Sequence, residues 1–307
     1  MSRKVIVTGG AGFIGSHLVD RLLQLGHQVL VIDDLSFGRR EYLPLEADFV
    51  LLDVRDEKIK PAIKDYGPQV IYHLAAQKNV RTSLEHPAHD ADINIRGSLN
   101  VLEAALSSGV GRFIFASTSG IYGETEVLPT PEEVPAQALS PYILAKLTFE
   151  NYLNLLGRDK IAGLALRFSN IYGPRQDPHG EAGVIAVFLD NLLKGQTLYI
   201  NGDGGQTRDF IYVADVVDIL IKALTKGQGI YNVGTSTRIS LLHLIKTLEK
   251  VTNLSAHSEH RLAIGGEVRH SSLSATKARE IFSWEPEHDL ERGLALTYQW
   301  FKEKNKA

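Results

Sequence analysis

Two residues in the stretch SPYILAKL carry side chains that can move a proton. Tyr142 and Lys146 have the four-residue spacing that places a phenol and an ammonium on one face of a helix. A phenol has a pKa of about 10, and nearby positive charge lowers that pKa toward neutrality, so the pair can act as a general base on an alcohol. Thr118, at the end of the run RFIFAST, offers a hydroxyl that can hydrogen-bond the same alcohol. These three are the candidate catalytic residues.

A glycine-rich loop near the N-terminus predicts a dinucleotide site. Gly9, Gly12 and Gly15 lie between the apolar run KVIVTG and a helical pattern. Gly9 permits a sharp turn, Gly12 lets a pyrophosphate approach the backbone, and Gly15 lets the helix pack close to its strand. The N–H groups of the first helical turn, around Phe13 and Ile14, are expected to face the phosphates. The bound cofactor would supply the positive charge that Tyr142 needs.

The acidic end of the second strand selects between the two nicotinamide cofactors. Asp33 and Asp34 close the run QVLVIDD, where a carboxylate can accept hydrogen bonds from the adenosine ribose. Such a carboxylate repels a 2′-phosphate, so the sequence favours NAD. Arg39 and Arg40 keep NADP open, because a nearby arginine can accommodate that phosphate.

The order of the apolar runs predicts an α/β fold. Strand-like runs alternate with helical patterns over about 170 residues, which indicates a doubly wound parallel sheet of the Rossmann type with helices on both faces. Later segments are more broken and predict a smaller, discontinuous α/β substrate domain. We expect residues 1–170 and about 208–233 to form the cofactor domain, and about 171–207 and 234–307 to form the substrate domain.

The composition excludes several classes of partner. The 307 residues carry a net charge of -3 with no basic run, which argues against nucleic acid, and no stretch is apolar enough for a membrane span. There is no cysteine, so thiol chemistry and disulfides are absent. His86 with His89 and His257 with His260 have an H-x-x-H spacing, but without further ligands we predict no metal site. The sequence predicts a cytoplasmic protein.

Taken together, the motifs resemble those of the extended short-chain dehydrogenases/reductases, and most closely the nucleotide-sugar C4-epimerases of the UDP-glucose 4-epimerase type. They are the glycine loop, Asp53-Val54, HLAAQKNV, NIRGSLNVLEAA, STSGIYG, SPYILAK, LRFSNIYGPRQ, GDGGQTRDFIYVADV and YNVG. The resemblance covers essentially the whole chain. It implies bound NAD, a nucleotide sugar, UDP-linked in this family, as substrate, and transient oxidation at C4 of the sugar.

The resemblance also implies a role for each matching position. Contacts to NAD are expected from the glycine loop, the two acids and the catalytic pair, together with Asp53, Val54, Leu74, Ala75, Ala76, Lys78, Asn94 and Phe168. Contacts to the nucleotide sugar are expected from Lys78, Thr118, Tyr142, Asn170, Arg208 and Glu267. Dehydratases of this superfamily carry Asp-Glu directly after the catalytic Thr, whereas this chain has Ser119 and Gly120. An epimerase therefore matches the motif better than a dehydratase.

Two positions near residue 270 bear on the substrate. Ile264 occupies a place where the family commonly has an arginine, a loss that Arg261 or Arg269 can offset. Ser271 aligns with a position that is bulky where acetamido sugars are excluded, which predicts tolerance of N-acetylated sugars. The family commonly dimerises through helices expected here at about 94–108 and 142–156.

Two other functions stay open at this point. A net oxidoreductase acting on a nucleotide-linked sugar would share the same cofactor loop and catalytic pair. It would change the amount of NAD(P)H in proportion to the product formed. A non-catalytic dinucleotide-binding protein would keep the fold alone, although the intact Thr118, Tyr142 and Lys146 argue against it.

Overall fold

The computed structural model describes residues 1–179, 183–263 and 268–305. Its main feature is a seven-stranded parallel sheet with the order β11-β6-β5-β4-β1-β2-β3. These strands are β1 (Lys4–Thr8), β2 (Gln28–Asp33), β3 (Asp48–Leu51), β4 (Val70–His73), β5 (Arg112–Thr118), β6 (Ala162–Phe168) and β11 (Gly229–Val233). The doubly wound sheet predicted from the sequence is confirmed.

The helices cover both faces of the sheet and the region beyond it. They are α1 (Phe13–Gln24), α2 (Ile59–Tyr66), α3 (Val80–Glu85), α4 (Pro87–Ala91), α5 (Ser98–Ser107), α6 (Pro141–Gly157), α7 (Val184–Leu193), α8 (Val213–Lys222), α9 (Leu241–Thr252), α10 (Thr276–Phe282) and α11 (Leu290–Lys304). No helix within the described ranges combines the length and apolar character needed to cross a bilayer.

Successive side chains of the central strands point to opposite faces of the sheet, so the core has two layers. Val5 and Val7 of β1 pack with α1 and α8, whereas Ile6 faces the other way, toward α2, α5 and α6. Buried strands with apolar residues on both faces are what a parallel sheet between two helical layers requires.

A third core lies beyond the sheet and joins α7, α9 and α11. Six short strands accompany it in three two-stranded sheets: β7 (Asn170–Tyr172) with β10 (Phe210–Tyr212), β8 (Leu198–Asn201) with β13 (Ser258–Arg261), and β9 (Thr207–Arg208) with β12 (Ile239–Ser240).

A π-helical turn over Asp92–Gly97 joins α4 to α5, and sequence periodicity did not indicate it. A Cβ at Gly97 would lie 2.8 Å from Cγ2 of Val54, so glycine permits the π-helical turn to pack closely against Val54. Such turns are often found at functional sites.

Candidate active site

β1 and β4 are neighbours in the sheet, and the strand order reverses between them. Open α/β sheets bind ligands at the carboxyl ends of the strands at such a point. A cavity of about 880 Å³ opens there. Among the predicted site residues that the structure describes, all line this cavity except Asn94 and Arg208. Glu267, like Ile264, lies outside the described residues.

The glycine loop is tight at two positions and open at the third. Gly9 has φ +69°, and a Cβ there would lie 2.6 Å from the nitrogen of Ala75. A Cβ at Gly15 would lie 2.2 Å from the carbonyl oxygen of Gly9, so α1 packs against the loop itself. At Gly12 an added Cβ would approach only that oxygen, at 3.2 Å. Gly12 therefore leaves space for a ligand.

The first turn of α1 faces this space. Gly12 is the N-cap residue and no side chain caps the helix, so the N–H groups of Phe13, Ile14 and Gly15 have no intrahelical partner. Unpaired amides at a helix N-terminus favour an anionic group such as a pyrophosphate. The loop thus fits the phosphates of a dinucleotide.

Asp33 ties two loops together at the edge of the cavity. Its carboxylate accepts 2.9 Å hydrogen bonds from the backbone nitrogens of Ala11 and Leu35. Burial raises its pKa. Arg39 also lines the cavity, where it forms an exposed 3.5 Å ion pair with Glu41. This arrangement supports NAD over NADP.

The catalytic pair lies at the start of α6. Ser140 caps this helix by accepting a 3.3 Å hydrogen bond from the nitrogen of Ile143. The Nζ atom of Lys146 lies 5.9 Å from the ring centroid of Tyr142 and donates a 2.9 Å hydrogen bond to the oxygen of Ala116. Burial lowers the pKa of Lys146 to about 8.

The pKa of Tyr142 is raised in the protein without its cofactor. The sequence predicted that Lys146 and an oxidised nicotinamide together lower it; without the nicotinamide, burial, followed by the negative charge of Asp90, raises the pKa of Tyr142 to about 12. Desolvation of the phenolate is the larger of these two causes. The positive charge of an oxidised nicotinamide is the remaining influence that would lower this pKa, which fits a site that works with its cofactor bound.

Thr118 ends β5 with its side chain at the cavity. Its hydroxyl oxygen accepts a 3.1 Å hydrogen bond from the nitrogen of Gly120 and so caps the 3₁₀ turn Ser119–Tyr122. Because the oxygen is the acceptor there, the hydroxyl proton can be donated toward a substrate oxygen. A hydrogen bond from Thr118 to a substrate stays a prediction.

Asn94 acts from behind the cavity. It is 2% exposed, accepts a 3.0 Å hydrogen bond from the nitrogen of Gln77 and donates a 2.9 Å bond to the oxygen of Gln77. It therefore clamps the main chain of the loop 74–79, which lines the cavity. The sequence missed Gln77 and Asp90 in this cluster, although Asp90 lies one helical turn before Asn94.

Asp90 is buried with one oxygen bonded and the other not. Its Oδ1 accepts from the side-chain amides of Gln77 at 2.8 Å and Asn94 at 2.9 Å. Its Oδ2 is buried without a hydrogen-bond partner among the described residues. Burial raises the pKa of Asp90.

A buried hydrogen-bond chain supports the same loop from β4. Ser98 donates to the oxygen of Asn94 at 2.7 Å, and its oxygen lies 2.8 Å from Nε2 of His73. That nitrogen must carry the proton, so Nδ1 of His73 accepts from the hydroxyl of Thr8 at 2.7 Å. Burial lowers the pKa of His73 to about 3, so the ring is neutral.

The remaining predicted substrate residues divide into two groups. Lys78 and Asn170 are exposed at the cavity, and Phe168 is buried beside them at the end of β6. Arg208 lies in β9, where its guanidinium donates a 2.9 Å hydrogen bond to the oxygen of Thr207. A contact between Arg208 and a nucleotide sugar stays a prediction.

The fold and site define an extended short-chain dehydrogenase/reductase. Residues 5–234 match the model of the NAD dependent epimerase/dehydratase family, and the chain belongs to this family. It is 40% identical to UDP-glucose 4-epimerase of Mycolicibacterium smegmatis in an alignment of 316 positions that covers 98% of this chain and 99% of that one.

Two solved structures are also similar. UDP-glucose 4-epimerase of Thermotoga maritima, solved with UDP-glucose, has a TM-score of 0.96 and 42% identity, covering 98% of this chain and 99% of that chain. UDP-glucose 4-epimerase of Thermus thermophilus, solved with NAD, has a TM-score of 0.93 and 39% identity, covering 97% of this chain and 99% of that chain.

Proposed function

We propose that this protein is an NAD-dependent nucleotide-sugar C4-epimerase, an isomerase that interconverts UDP-glucose and UDP-galactose. One observation carries the proposal: the glycine loop and the Thr118, Tyr142 and Lys146 side chains line a single cavity. A base and a hydride acceptor can therefore meet the same sugar carbon. The similar enzymes named above support the choice of substrate.

The chain's own residues would divide the work as follows. The glycine loop and Asp33 hold the cofactor, and Tyr142 removes the proton from the C4 hydroxyl while Thr118 donates a hydrogen bond to that oxygen. A bound NAD would supply the hydride acceptor and donor. Tyr142 would keep the proton until the 4-keto sugar has turned over within the cavity, and would then return it to the C4 oxygen. The product would be the C4 epimer with no net oxidation.

The turn after Thr118 argues against elimination of water. Ser119 and Gly120 occupy the positions where dehydratases of the superfamily carry an acid and a base, and both lie in the 3₁₀ turn. No carboxylate follows Thr118 to protonate a leaving hydroxyl. Reversible oxidation is the chemistry that these side chains can support.

Incubation with UDP-glucose or UDP-galactose tests the proposal. NMR analysis should show the C4 epimer, while absorbance in the reduced-nicotinamide band stays flat. Stoichiometric NADH would instead indicate a net oxidoreductase, and NAD binding without turnover would indicate a non-catalytic protein. Tyr142→Phe should lower kcat by about 10²–10⁴-fold. Tyr298→Phe, which removes a phenol from α11 away from the cavity, is the matched control.

We further propose that N-acetylated sugars are tolerated. Ser271 has a small side chain and is half-buried, with its nitrogen donating a 3.1 Å hydrogen bond to the oxygen of Thr207. Ser271 does not line the cavity itself, so the proposal rests on the resemblance that aligns this small side chain with the position that is bulky where acetamido sugars are excluded. UDP-GlcNAc should therefore be epimerised, and complete inactivity on it beside robust activity on UDP-glucose would contradict the proposal.

We also propose that the protein is a cytoplasmic homodimer. Four large apolar residues on α6 are exposed: Leu144, Tyr152, Leu155 and Leu156. Leu84 on the adjacent α3 is also exposed, whereas α5 buries most of its apolar residues against the sheet. Leu155→Glu should halve the mass measured by light scattering if α6 forms the interface. An unchanged mass would contradict this interface, and cell fractionation would test the location.

The two-part domain division is likewise a proposal. The core of α7, α9 and α11 supports a substrate domain built from about 171–207 and 234–307, except that Ala278 and Phe282 of α10 pack in the core of the main sheet. The packing of α8 and β11 with the main sheet supports placing 208–233 with residues 1–170.

A further inference from the structure

A buried ion pair lies directly behind the cavity. Nη2 of Arg167 on β6 lies 2.6 Å from Oε2 of Glu150 on α6, and Nε of the same arginine lies 3.0 Å from Oε1. Their side chains are 6% and 1% exposed. Neither residue lines the cavity. Since burying two charges is costly and an apolar pair often stabilises a fold equally well, stability alone does not explain this pair.

The pair is attached to both ends of the segment that carries Thr118. Ser117 donates a 2.6 Å hydrogen bond to Oε1 of Glu150. Nη1 of Arg167 donates a 2.8 Å bond to the phenol oxygen of Tyr122, which ends the 3₁₀ turn that Thr118 caps. Thr118 is therefore held between two anchors that converge on the pair.

The same pair reaches the elements that carry the other site residues. Glu150 lies one helical turn after Lys146 on α6, and Arg167 directly precedes Phe168 on β6. Tyr122 continues the network by donating a 2.7 Å hydrogen bond to Oδ1 of Asn232 on β11. Three strands and one helix are thus linked through directional bonds.

We propose that Glu150 and Arg167 are positioning residues that hold Thr118 and Lys146 in a fixed relation across β5, α6 and β6. An apolar pair would fill the same space, but it has no directional bond for Ser117 or Tyr122. The expected effect on turnover rests on the proposed epimerase function, whereas the effect on Lys146 does not.

The double variant Glu150→Met/Arg167→Met separates positioning from stability. It removes both charges together, so the fold is expected to survive with bound NAD. We expect kcat to fall about 10- to 100-fold with KM changed less than about threefold, because small displacements of catalytic groups cost rate. Wild-type kcat in a folded double variant would overturn the proposal. Asp215→Asn, a buried carboxylate 2.9 Å from His288 and away from the cavity, is the matched control.

Tyr122→Phe covers the case in which the double variant fails to fold. It removes one hydroxyl from the network and should lower kcat severalfold at unchanged KM. Unchanged kcat in this variant would also overturn the proposal.

A second measurement does not require turnover. The side-chain ¹³C signal of Lys146, assigned with Lys146→Arg, reports its titration in the wild type and in the variants. The groups that act on this ammonium are Asp90 on α4, Glu150 on its own helix, His73 on β4 and Tyr142. Removing Glu150 changes this titration directly, because its carboxylate acts on the ammonium. The deciding comparison is therefore Tyr122→Phe, which removes no charge: a shifted titration there indicates a displaced ammonium, and an unchanged titration would overturn the proposal. If the wild type proves inactive on every nucleotide sugar, the proposed function fails while this titration still decides the positioning role.

Discussion

Lys146 and Ala116 are joined by a 2.9 Å hydrogen bond from the side-chain ammonium to the main-chain oxygen near the end of β5. The ammonium also lies 4.6 Å from the ring centroid of Phe115. Burial lowers the pKa of Lys146 to about 8, and the carboxylates of Asp90 and Glu150 oppose this effect. The charge is therefore fixed beside the base and titrates near neutral pH.

The first prediction concerns the alkaline limb of the pH profile. Because Lys146 is charged below its pKa, kcat/KM should fall as pH rises through about 8. Lys146→Arg keeps the charge at every accessible pH, so its lower activity should lack this limb. The measurement is kcat/KM against pH for both proteins. An identical alkaline limb in the two would assign it to another group.

The second prediction concerns Asp90 and the phenol. Asp90→Asn can keep both hydrogen bonds to its oxygen while losing the negative charge that raises the pKa of Tyr142. The pKa of Tyr142 should therefore fall in the cofactor-free variant. Phenolate absorbance, taken as the difference from the same protein carrying Tyr142→Phe, measures it. Asp65→Asn removes an exposed carboxylate on α2 as a control, and an equal effect in both variants would count against a specific coupling.

The third prediction separates the three kinds of glycine. Gly12→Ala should fold normally but bind NAD at least about tenfold more weakly, a loss of about 1.4 kcal/mol, because its Cβ enters the phosphate space. Gly15→Ala should also lower the melting temperature, since its Cβ meets backbone at 2.2 Å. Gly111→Ala, whose Cβ would meet its nearest atom at 3.7 Å, should change neither. Calorimetric titration and thermal melts measure the two effects, and full NAD affinity in Gly12→Ala would refute the assignment.

The fourth prediction concerns acid stability. The pKa of His73 is lowered to about 3 in the folded protein, so between about pH 6.5 and that value the unfolded chain binds a proton that the folded chain does not. Stability should fall as pH drops through this window, by up to about 1.4 kcal/mol per pH unit for this group.

Urea unfolding in this pH window tests the assignment to His73. His73→Gln keeps one donor and one acceptor but cannot titrate, so its stability should start lower and depend less on pH. An equally steep pH dependence in His73→Gln would assign the effect to other residues.

The sequence predicted the strands and the cavity residues because both follow from local patterns. KVIVTG, QVLVID and RFIFAST each became a strand of the predicted parallel sheet. The ligand-facing residues lie at the carboxyl ends of these strands, where the parallel topology places them. The spacing of the glycines and the four-residue spacing of Tyr142 and Lys146 are likewise short-range features of the sequence.

The features that the sequence missed depend on distant neighbours. The Glu150 and Arg167 pair joins residues from two elements, and only the folded chain shows that both are buried. The raised pKa of Tyr142 depends on the balance between desolvation and nearby charges, which spacing on a helix does not provide. Asn94 has the residue type of a ligand contact, but its burial makes it a clamp for Gln77.

The π-helical turn at Asp92–Gly97 determines the rotational phase between the two halves of this helical region. A π-helical turn accommodates one more residue than an α-helical turn, so regular α-helical winding of the same six residues would rotate everything downstream by about 100°. Ser98 would then turn away from His73, and the clamp on the loop 74–79 would lose its support. The π-helical winding of these six positions thus keeps Ser98 against His73.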